Sequence, residues 1–243
     1  SADDNDSLKG AELYDSKDER WSLTGSLNTP RCFHTATLLK NGKVLVVGGD
    51  EHANLWDYAP RPLDTVELYD PDAGLWSYTG HLNTGVEGHT ATLLPDGRVL
   101  IVGGDPSAGG PIPSAQLYDP DTGEWSITGH LVHYEARIGH TATLLPDGKV
   151  LVAGGWGVLG GGVYSFPLTS SELYDPETGT WSFAGDFNTP RTRHTATLLS
   201  DGRALLVGGL GLPPKDCAVN CYSRSLANVE LGNNVTSCSV SIS

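Results

Sequence analysis

The 243-residue sequence contains no methionine, few basic residues and no long apolar segment. Lys and Arg number 15 against 29 Asp and Glu, which gives a formal net charge of −14. A chain this acidic repels phosphate backbones overall, which argues against nucleic acid as a partner. No apolar run approaches the ~20 residues that a transmembrane helix requires. Hydrophobic residues make up 38% of the chain, a share that argues against disorder.

Cysteine is also scarce, with four residues, of which three fall within the last 27 positions. An even number is compatible with two disulfides, and we expect at least one among the three clustered residues. Asn5 and Asn234 begin glycosylation sequons. The missing initial methionine suggests a processed mature chain. Together these features predict a secreted glycoprotein. The disulfide candidates are Cys32, Cys217, Cys221 and Cys238.

Glycine is abundant, and much of it belongs to an internal repeat of about 50 to 56 residues. A His-Thr-Ala-Thr-Leu-Leu segment occurs four times, and a Gly-Gly pair follows 14 residues after each histidine. A Leu-Tyr-Asp motif also occurs four times, with a tryptophan eight residues after each leucine. The histidines are His34, His89, His140 and His194, and the tryptophans are Trp21, Trp76, Trp125 and Trp181.

Each repeat unit predicts four short strands. The His-Thr-Ala-Thr segment alternates, and the apolar run after it, Val44–Val47 in the first unit, predicts a strand buried on both faces. Asn-Gly or Asp-Gly between them is typical of a two-residue hairpin turn. The third strand carries Leu-Tyr-Asp and the fourth carries the tryptophan. The turn between these two contains Pro and Gly, as at residues 119–123 and 175–179, whereas residues 15–19 lack both and predict an atypical turn.

With Gly-Gly, Tyr-Asp and Trp at these spacings, the sequence resembles the kelch repeat family, to which the central domain of galactose oxidase also belongs. The resemblance covers residues 11–231. It implies an all-β fold, a β-propeller of four-stranded blades whose His-Thr-Ala-Thr strands line the central channel. We expect four blades, or four and a partial fifth. Residues 1–10 then form an N-terminal extension, and residues 232–243 form a tail that is compatible with one additional strand.

Closure of the predicted propeller is open to three interpretations. The N-terminus supplies only a third and a fourth strand, whereas the C-terminus supplies a first and a second strand and a decayed third at Val229–Leu231. The two pairs can complete one another in a four-bladed ring. Alternatively, the tail forms part of a fifth blade. Thirdly, strands of different chains pair, since open strand edges invite pairing.

A further expectation concerns the repeat tryptophans, which we place in the packing of the blades. Trp76, Trp125 and Trp181 are predicted to be buried beside the Gly-Gly pair of a nearby strand, because glycine lets a large ring approach the backbone.

The two faces of such a propeller differ in the sequence. The turns from first to second and from third to fourth strand are short and uniform, and we call their side the turn face. The loops from second to third strand vary between 12 and 21 residues and emerge with the blade linkers on the other side, the loop face. Function usually lies on variable loops of a rigid scaffold.

Two tryptophans outside the repeat position fall in these long loops, each with aromatic or basic neighbours. They are either locally packed or part of a contact surface for a protein or a glycan, since Trp, Tyr and Arg are favoured anchors. The candidate binding residues are His52, Trp56, Tyr58, Arg61, Trp156, Tyr164 and Phe166.

Other repeated or charged residues are weaker candidates. Arg31, Arg137 and Arg191 precede the repeat histidine by three residues, and they either bind an anion at the channel mouth or form salt bridges between blades. The histidines favour a structural role over a metal site. Asp50 and Asp105 follow Gly-Gly and indicate Ca²⁺ only weakly, so no cofactor is predicted.

The sequence therefore predicts a secreted, non-enzymatic propeller that binds a protein or a glycan through its loop face. One alternative is an extracellular enzyme, a metal-dependent oxidase or a glycan-active protein with its site at the channel mouth. The resemblance gives it little support, because kelch-type copper radical oxidases use a Tyr-His dipeptide and this chain has only His133-Tyr134. A second alternative is a structural subunit of a homopolymer joined through open blade edges.

Overall fold

A computed structural model describes residues 7–51, 61–106, 114–132, 136–159 and 163–211 of the chain. Residues 1–211 belong to one compact unit and residues 212–243 to a second, which lies outside the described residues. Val229–Leu231 and the predicted tail strand fall in that second unit. Every regular element in the described ranges is a β-strand. Among the described residues there is no helix long and apolar enough to cross a membrane.

Three antiparallel sheets of four strands follow one another along the chain, preceded by a two-stranded sheet of β1 (Glu12–Asp15) and β2 (Arg20–Leu23). Blade I comprises β3 (Thr35–Leu38), β4 (Val44–Val47), β5 (Val66–Asp70) and β6 (Leu75–Thr79). Blade II comprises β7 (Thr90–Leu93), β8 (Val99–Val102), β9 (Ser114–Asp119) and β10 (Glu124–His130).

Blade III is interrupted by a second sheet. It comprises β12 (Thr141–Leu144), β13 (Val150–Ala153), β16 (Ser170–Asp175) and β17 (Thr180–Asp186). A three-stranded sheet, which we call the ribbon, comprises β11 (Ala136–Ile138), β14 (Trp156–Leu159) and β15 (Val163–Pro167). The last described strands, β18 (Thr195–Leu198) and β19 (Ala204–Val207), form a separate two-stranded sheet.

The predicted four-strand unit is confirmed, and its register is the same in every complete blade. Second and third strands pair leucine with leucine, as Leu45 with Leu68 in blade I. Third and fourth strands pair the tyrosine of Leu-Tyr-Asp with the repeat tryptophan. Their ring centroids lie 4.9 to 5.2 Å apart at interplanar angles of 42 to 47°, close to the tilted geometry that aromatic pairs favour.

The hydrophobic core lies between neighbouring blades. One cluster joins blades I and II around Leu45, Val47 and Tyr118, and a second joins blades II and III around Leu100, Val152 and Tyr174. All four residues of β8 are buried, which confirms that the apolar second strand is covered on both faces. In β19, by contrast, half-buried and exposed positions alternate.

The repeat tryptophans depart from the prediction in burial and in neighbour. Trp76, Trp125 and Trp181 are half-buried. The glycine beside each of them lies near the end of the fourth strand of the preceding blade or half-blade and does not belong to a Gly-Gly pair. A Cβ atom on Gly80 would lie 3.1 Å from Trp125, and one on Gly129 would lie 3.1 Å from Trp181. Because Gly80 and Gly129 lack a Cβ atom, the outer strands of adjacent blades can approach each other at these points.

The turn at residues 15–19 has the same form as the other turns, although its sequence predicts an atypical one. In each copy the aspartate of Leu-Tyr-Asp accepts the backbone N–H two residues on, at 2.7 Å from Lys17 in the first turn and 2.9 Å from Asp121 in the third. The last turn residue has positive φ in each copy, and only the first copy places a non-glycine, Glu19 (φ 51°), there.

Replacing Glu19 with glycine is therefore expected to stabilise the protein by about 0.5 to 1 kcal/mol, because the left-handed conformation costs a residue with a Cβ atom about that much or more. Chemical denaturation followed by tryptophan fluorescence measures the change. Gly74→Ala (φ 66°), at the equivalent position of blade I, is the matched reverse change and should destabilise. A Glu19→Gly protein no more stable than the wild type would contradict the expectation.

The first of the three closure modes is not present in the described residues. There β1–β2 and β18–β19 form separate two-stranded sheets with no ladder between them. Hydrogen bonds join β1–β2 to blade I, including Thr24 Oγ1 with Tyr69 Oη at 2.6 Å. β18 contacts β12 of blade III. The two half-blades therefore lie at opposite ends of the row of three complete blades.

Candidate functional site

The loop face is built where the blade linkers run beside the start of each second-to-third loop. The residue after a Gly-Gly pair forms a β-bridge with the residue two positions before the repeat histidine, as in Cys32 with Asp50 and Glu87 with Asp105. Asp50 also bridges to Pro62 at the far end of its loop. The ends of linkers and loops are thus held together by backbone hydrogen bonds on one side of the blades, as the repeat pattern predicts.

Two of the three arginines proposed as anion ligands are buried in ion pairs inside their blades. Arg31 Nη2 lies 2.8 Å from Glu67 Oε1, and Arg137 Nη2 lies 2.8 Å from Glu172 Oε1, with all four side chains fully buried. Each guanidinium also donates to backbone carbonyls, Arg31 to Gly48 O at 2.8 Å. The prediction that these arginines bind a ligand is wrong for Arg31 and Arg137, because no solvent reaches them. The half-buried Arg191 donates to Gly208 O at 3.0 Å.

The carboxylate of each pair also fixes the preceding blade linker. Glu67 accepts the backbone N–H groups of Asn28 at 2.8 Å and Thr29 at 3.0 Å. Burial alone would raise the pKa of Glu67, but hydrogen bonds from Asn28, Thr29 and Arg31 lower it. Blade II has the uncharged pair Val86 and Gln116 at these positions, and Gln116 Oε1 accepts the N–H of Asn83 at 3.0 Å.

The repeat histidines link neighbouring first strands. Nε2 of His89, His140 and His194 lies within hydrogen-bonding distance of the threonine that follows the previous repeat histidine, at 2.8, 2.9 and 3.0 Å respectively. Burial lowers the pKa of His89 to about 4 and that of His140 to about 3, so both are neutral at physiological pH. The described ranges contain no group of three His, Cys, Asp or Glu side chains arranged to hold a metal ion.

Two aspartates act on the carboxylate of Glu87 on the loop face. Glu87 is half-buried beside the bridge to Asp105, and Asp50 is 3% exposed. Burial together with the negative charges of Asp50 and Asp105 raises the pKa of Glu87 from 4.5 to about 7. Asp50 Oδ2 accepts the N–H of Arg61 at 3.1 Å, which holds the exposed Arg61 at the edge of this acidic surface.

Glu87 makes stability depend on pH. Because its folded-state pKa is raised, the stability it contributes is fully present below about pH 4.5 and is lost as the pH rises through about 7. At pH 8, Glu87→Gln is therefore expected to raise the free energy of unfolding above that of the wild type by about 1 to 3 kcal/mol. Urea unfolding measures this difference. At pH 4 the two should coincide.

Variant and wild type are compared at each pH because the buried histidines also make stability depend on pH. They are neutral in the folded state and take up protons when unfolded, which destabilises the fold of both proteins below about pH 6.5. Glu124→Gln removes the same charge from an exposed side chain of the fourth strand and is the matched control. A Glu87→Gln advantage that is equal at pH 4 and pH 8 would show that the ionised carboxylate is not the cause.

The other predicted loop residues fall partly within the described chain. Trp156 is half-buried and lies on β14 of the ribbon, with its Cα opposite Ile138 and Pro167. The prediction of an irregular loop is wrong here, because the chain forms paired strands. Tyr164 and Phe166 lie on β15, but their side chains are outside the described part. The other candidates lie wholly outside the described residues. They are His52, Trp56 and Tyr58, and the sequon residues Asn5 and Asn234.

Cys32 carries a free thiol, whose pKa burial raises. The other three disulfide candidates, Cys217, Cys221 and Cys238, are outside the described ranges, so a disulfide among them stays a prediction.

The turn face contains a shallow groove of about 520 Å³ between blades I and II. Its lining is mostly charged and includes Lys40, Asp96, Arg98 and Asp121. Arg98 Nε lies 2.7 Å from Asp96 Oδ2, so the charges of these two residues are paired. The apolar lining that small-molecule sites usually have is not found in this groove.

Comparison with known proteins agrees with this geometry. The Kelch motif model matches residues 30–83 and 139–188. Kelch-like protein 15 of mouse is 30% identical over 84 residues, and the human protein is 29% identical over the same length. These matches cover 35% of this chain and 14% of each relative.

A solved structure titled "Structure of YjhT" shares the fold, with a TM-score of 0.68 at 16% identity over 84% of this chain and 69% of that one. The repeated blades and these matches define a kelch-repeat β-propeller. Its sequence therefore contains kelch motifs in two of its three complete blades.

Proposed function

We propose that this chain is a binding module that contacts a protein partner through its loop face. The observation that carries the proposal is the asymmetry between the two faces. The turns of blades I to III repeat the same hydrogen bonds, whereas the loop face differs in each blade and adds the ribbon in blade III. A rigid sheet scaffold holds such loops in fixed relation, so that little ordering is needed on binding.

The charge of the loop face favours a basic partner segment. Burial together with the charges of Asp50 and Asp105 raises the pKa of Glu87, and the whole chain has a formal charge of −14. Lys or Arg side chains of a partner would relieve this repulsion and would be attracted over distance by the net charge. Trp156, half-buried on the ribbon, supplies apolar surface beside Ile138, in the segment that leads into blade III.

Secretion belongs to the same proposal. It is supported by the two sequons and by the clustered cysteines of the sequence. Mass analysis of the native protein before and after enzymatic removal of N-glycans tests it, and an unchanged mass would remove the glycosylation support.

A random-peptide display library panned against the immobilised full chain tests the loop face. Selected peptides should be enriched in Lys and Arg. Their affinity should fall at least tenfold for the double variant Glu87→Lys/Trp156→Ala, because it replaces a carboxylate with a positive charge and removes one ring on that face.

The matched control is Glu124→Lys/Ile127→Ala, which makes the same kinds of change away from the loop face, at two exposed residues. Both variants are first compared with the wild type in thermal unfolding. Peptides that lose affinity for the control and keep it for the loop-face variant would place the binding surface elsewhere.

A further inference from the structure

Each half-blade contains the strands that the other lacks. β18 and β19 correspond to the first and second strands of a blade, and β1 and β2 correspond to its third and fourth strands. In the complete blades the second strand pairs with the third, as β4 does with β5 and β8 with β9. In the described residues, β19 and β1 each have a ladder on one edge only.

The side chains on these half-blades are exposed where their equivalents are covered. Tyr14 is 51% exposed and Trp21 is 67% exposed, whereas Tyr118 and Tyr174, at the position of Tyr14, are fully buried. On the other half-blade, Leu205 is 48% exposed while its equivalent Leu100 is fully buried. Apolar surface of this extent on both half-blades indicates contact surfaces.

The buried ion pair is also divided between the two half-blades. Arg191 stands where Arg31 and Arg137 stand, three residues before the repeat histidine, and it holds the carbonyl of its own Gly-Gly pair as they do. Glu12 precedes Leu-Tyr-Asp as Glu67 and Glu172 do. The arginine lies on one half-blade and the glutamate on the other. Charge complementarity therefore coincides with strand complementarity.

We propose that β19 of one copy of this chain pairs with β1 of a second copy to form a composite blade. By the register of blade I, Leu205 faces Leu13 and Ala204 faces Tyr14, in antiparallel orientation. Arg191 of one copy then forms the buried ion pair with Glu12 of the other. A second copy is the occupant because β1–β2 contacts blade I and β18–β19 contacts blade III, at opposite ends of the row. The contact uses sheet edges and leaves the loop face free.

A cross-link between two differently tagged variants tests the register. Leu13→Cys and Leu205→Cys are mixed and oxidised mildly, since directly opposed Cα atoms in antiparallel strands lie within disulfide range. A reducible species of twice the 25.7 kDa chain mass that carries both tags is expected. Each variant mixed with wild type controls for the native thiols, and Leu206→Cys, whose side chain points to the opposite face, controls for register.

Absence of the mixed species, or its formation with Leu206→Cys as readily as with Leu205→Cys, would overturn the proposal. So would a double variant, Leu13→Cys/Leu205→Cys, that cross-links only within its own chain.

Charge reversal tests the ion pair independently. Arg191→Glu and Glu12→Arg should each weaken self-association at least tenfold in sedimentation velocity, and the chain carrying both changes should recover to within a few-fold of wild type. Arg203→Glu, an exposed reversal on the same hairpin, should have no effect. Recovery by Glu230→Arg in place of Glu12→Arg would overturn the proposal, because the chain's own C-terminal segment would then be the partner of Arg191.

Discussion

Replacing Arg137 with valine is expected to lower the free energy of unfolding by about 3 to 5 kcal/mol, because it leaves the carboxylate of Glu172 buried without its charge partner. The double variant Arg137→Val/Glu172→Gln should recover most of that loss. Blade II already contains this solution, with Val86 and Gln116 at the same positions and the linker hydrogen bond retained at 3.0 Å. The buried ion pair is thus one of two side-chain pairs with which this chain holds a linker against its blade.

Urea unfolding of the wild type, both single variants and the double variant forms a double-mutant cycle that measures the coupling. If Arg137→Val fails to fold, the double variant still reports, since it is expected to fold. A double variant as unstable as the less stable single variant would contradict the interchange of the ion pair with the Val–Gln pair.

Gly103→Ala is expected to destabilise the protein by about 2 to 5 kcal/mol, from left-handed backbone and overpacking together. Gly103 has a φ of 66°, and a Cβ atom there would lie 2.3 Å from the carbonyl oxygen of Arg137 and 2.7 Å from His140. Because the obstacle includes backbone of the next blade linker, it cannot rotate away. The first glycine of the pair therefore sets the distance between adjacent blades.

Gly208→Ala is the matched control for this substitution. Gly208 has nearly the same φ, 69°, but among the described residues, its chain neighbours aside, no atom lies within 4 Å of a Cβ placed there. It should lose only the backbone contribution, about 1 to 2 kcal/mol. Urea midpoints of the two variants give the difference, and equal losses at both positions would show that contact between blades does not explain the glycine.

The strands were predictable from the sequence because each carries a local signal. Alternation identified β3 and the apolar run identified β4, and the Asn-Gly turn between them fixed their pairing. The turn at residues 15–19 was predicted wrongly, because its Asx hydrogen bond needs only Asp15 and not the proline or glycine. A signal for the shared turn was present in the repeated Leu-Tyr-Asp aspartate.

Contacts between blades were harder to predict, since they depend on neighbours about 50 residues apart. The arginines illustrate a related difficulty for long-range contacts inside one blade. Arg31 and Glu67 are 36 residues apart, and only the joint replacement of both by Val86 and Gln116 in blade II marks them as partners. The tryptophan–glycine contact was assigned to the wrong glycine for the same reason. Repeat position identified the residues that matter, whereas sequence spacing did not identify their partners.

From the sequence, the candidate site could be assigned to one face of the propeller but not to individual contacts. Loop lengths and linker polarity identify the loop face, and the bridges of Asp50 and Glu87 agree. The ribbon was not predicted, because Val163–Pro167 and Trp156–Leu159 are separated by a glycine-rich segment that is typical of a loop. The raised pKa of Glu87 was also beyond sequence reasoning, since it depends on burial and on Asp50 and Asp105 from two other segments.

The most direct test of the loop face as the binding surface is a photo-cross-linking footprint of the full chain with the highest-affinity peptide from the library. A benzophenone placed near each end of the peptide in turn should label residues in the loops that follow Gly-Gly or in the linkers beside them, around Arg61, Glu87 or Trp156. Labelling confined to the turns around Lys40, Asp96 and Asp121 would contradict the loop face as the site of binding.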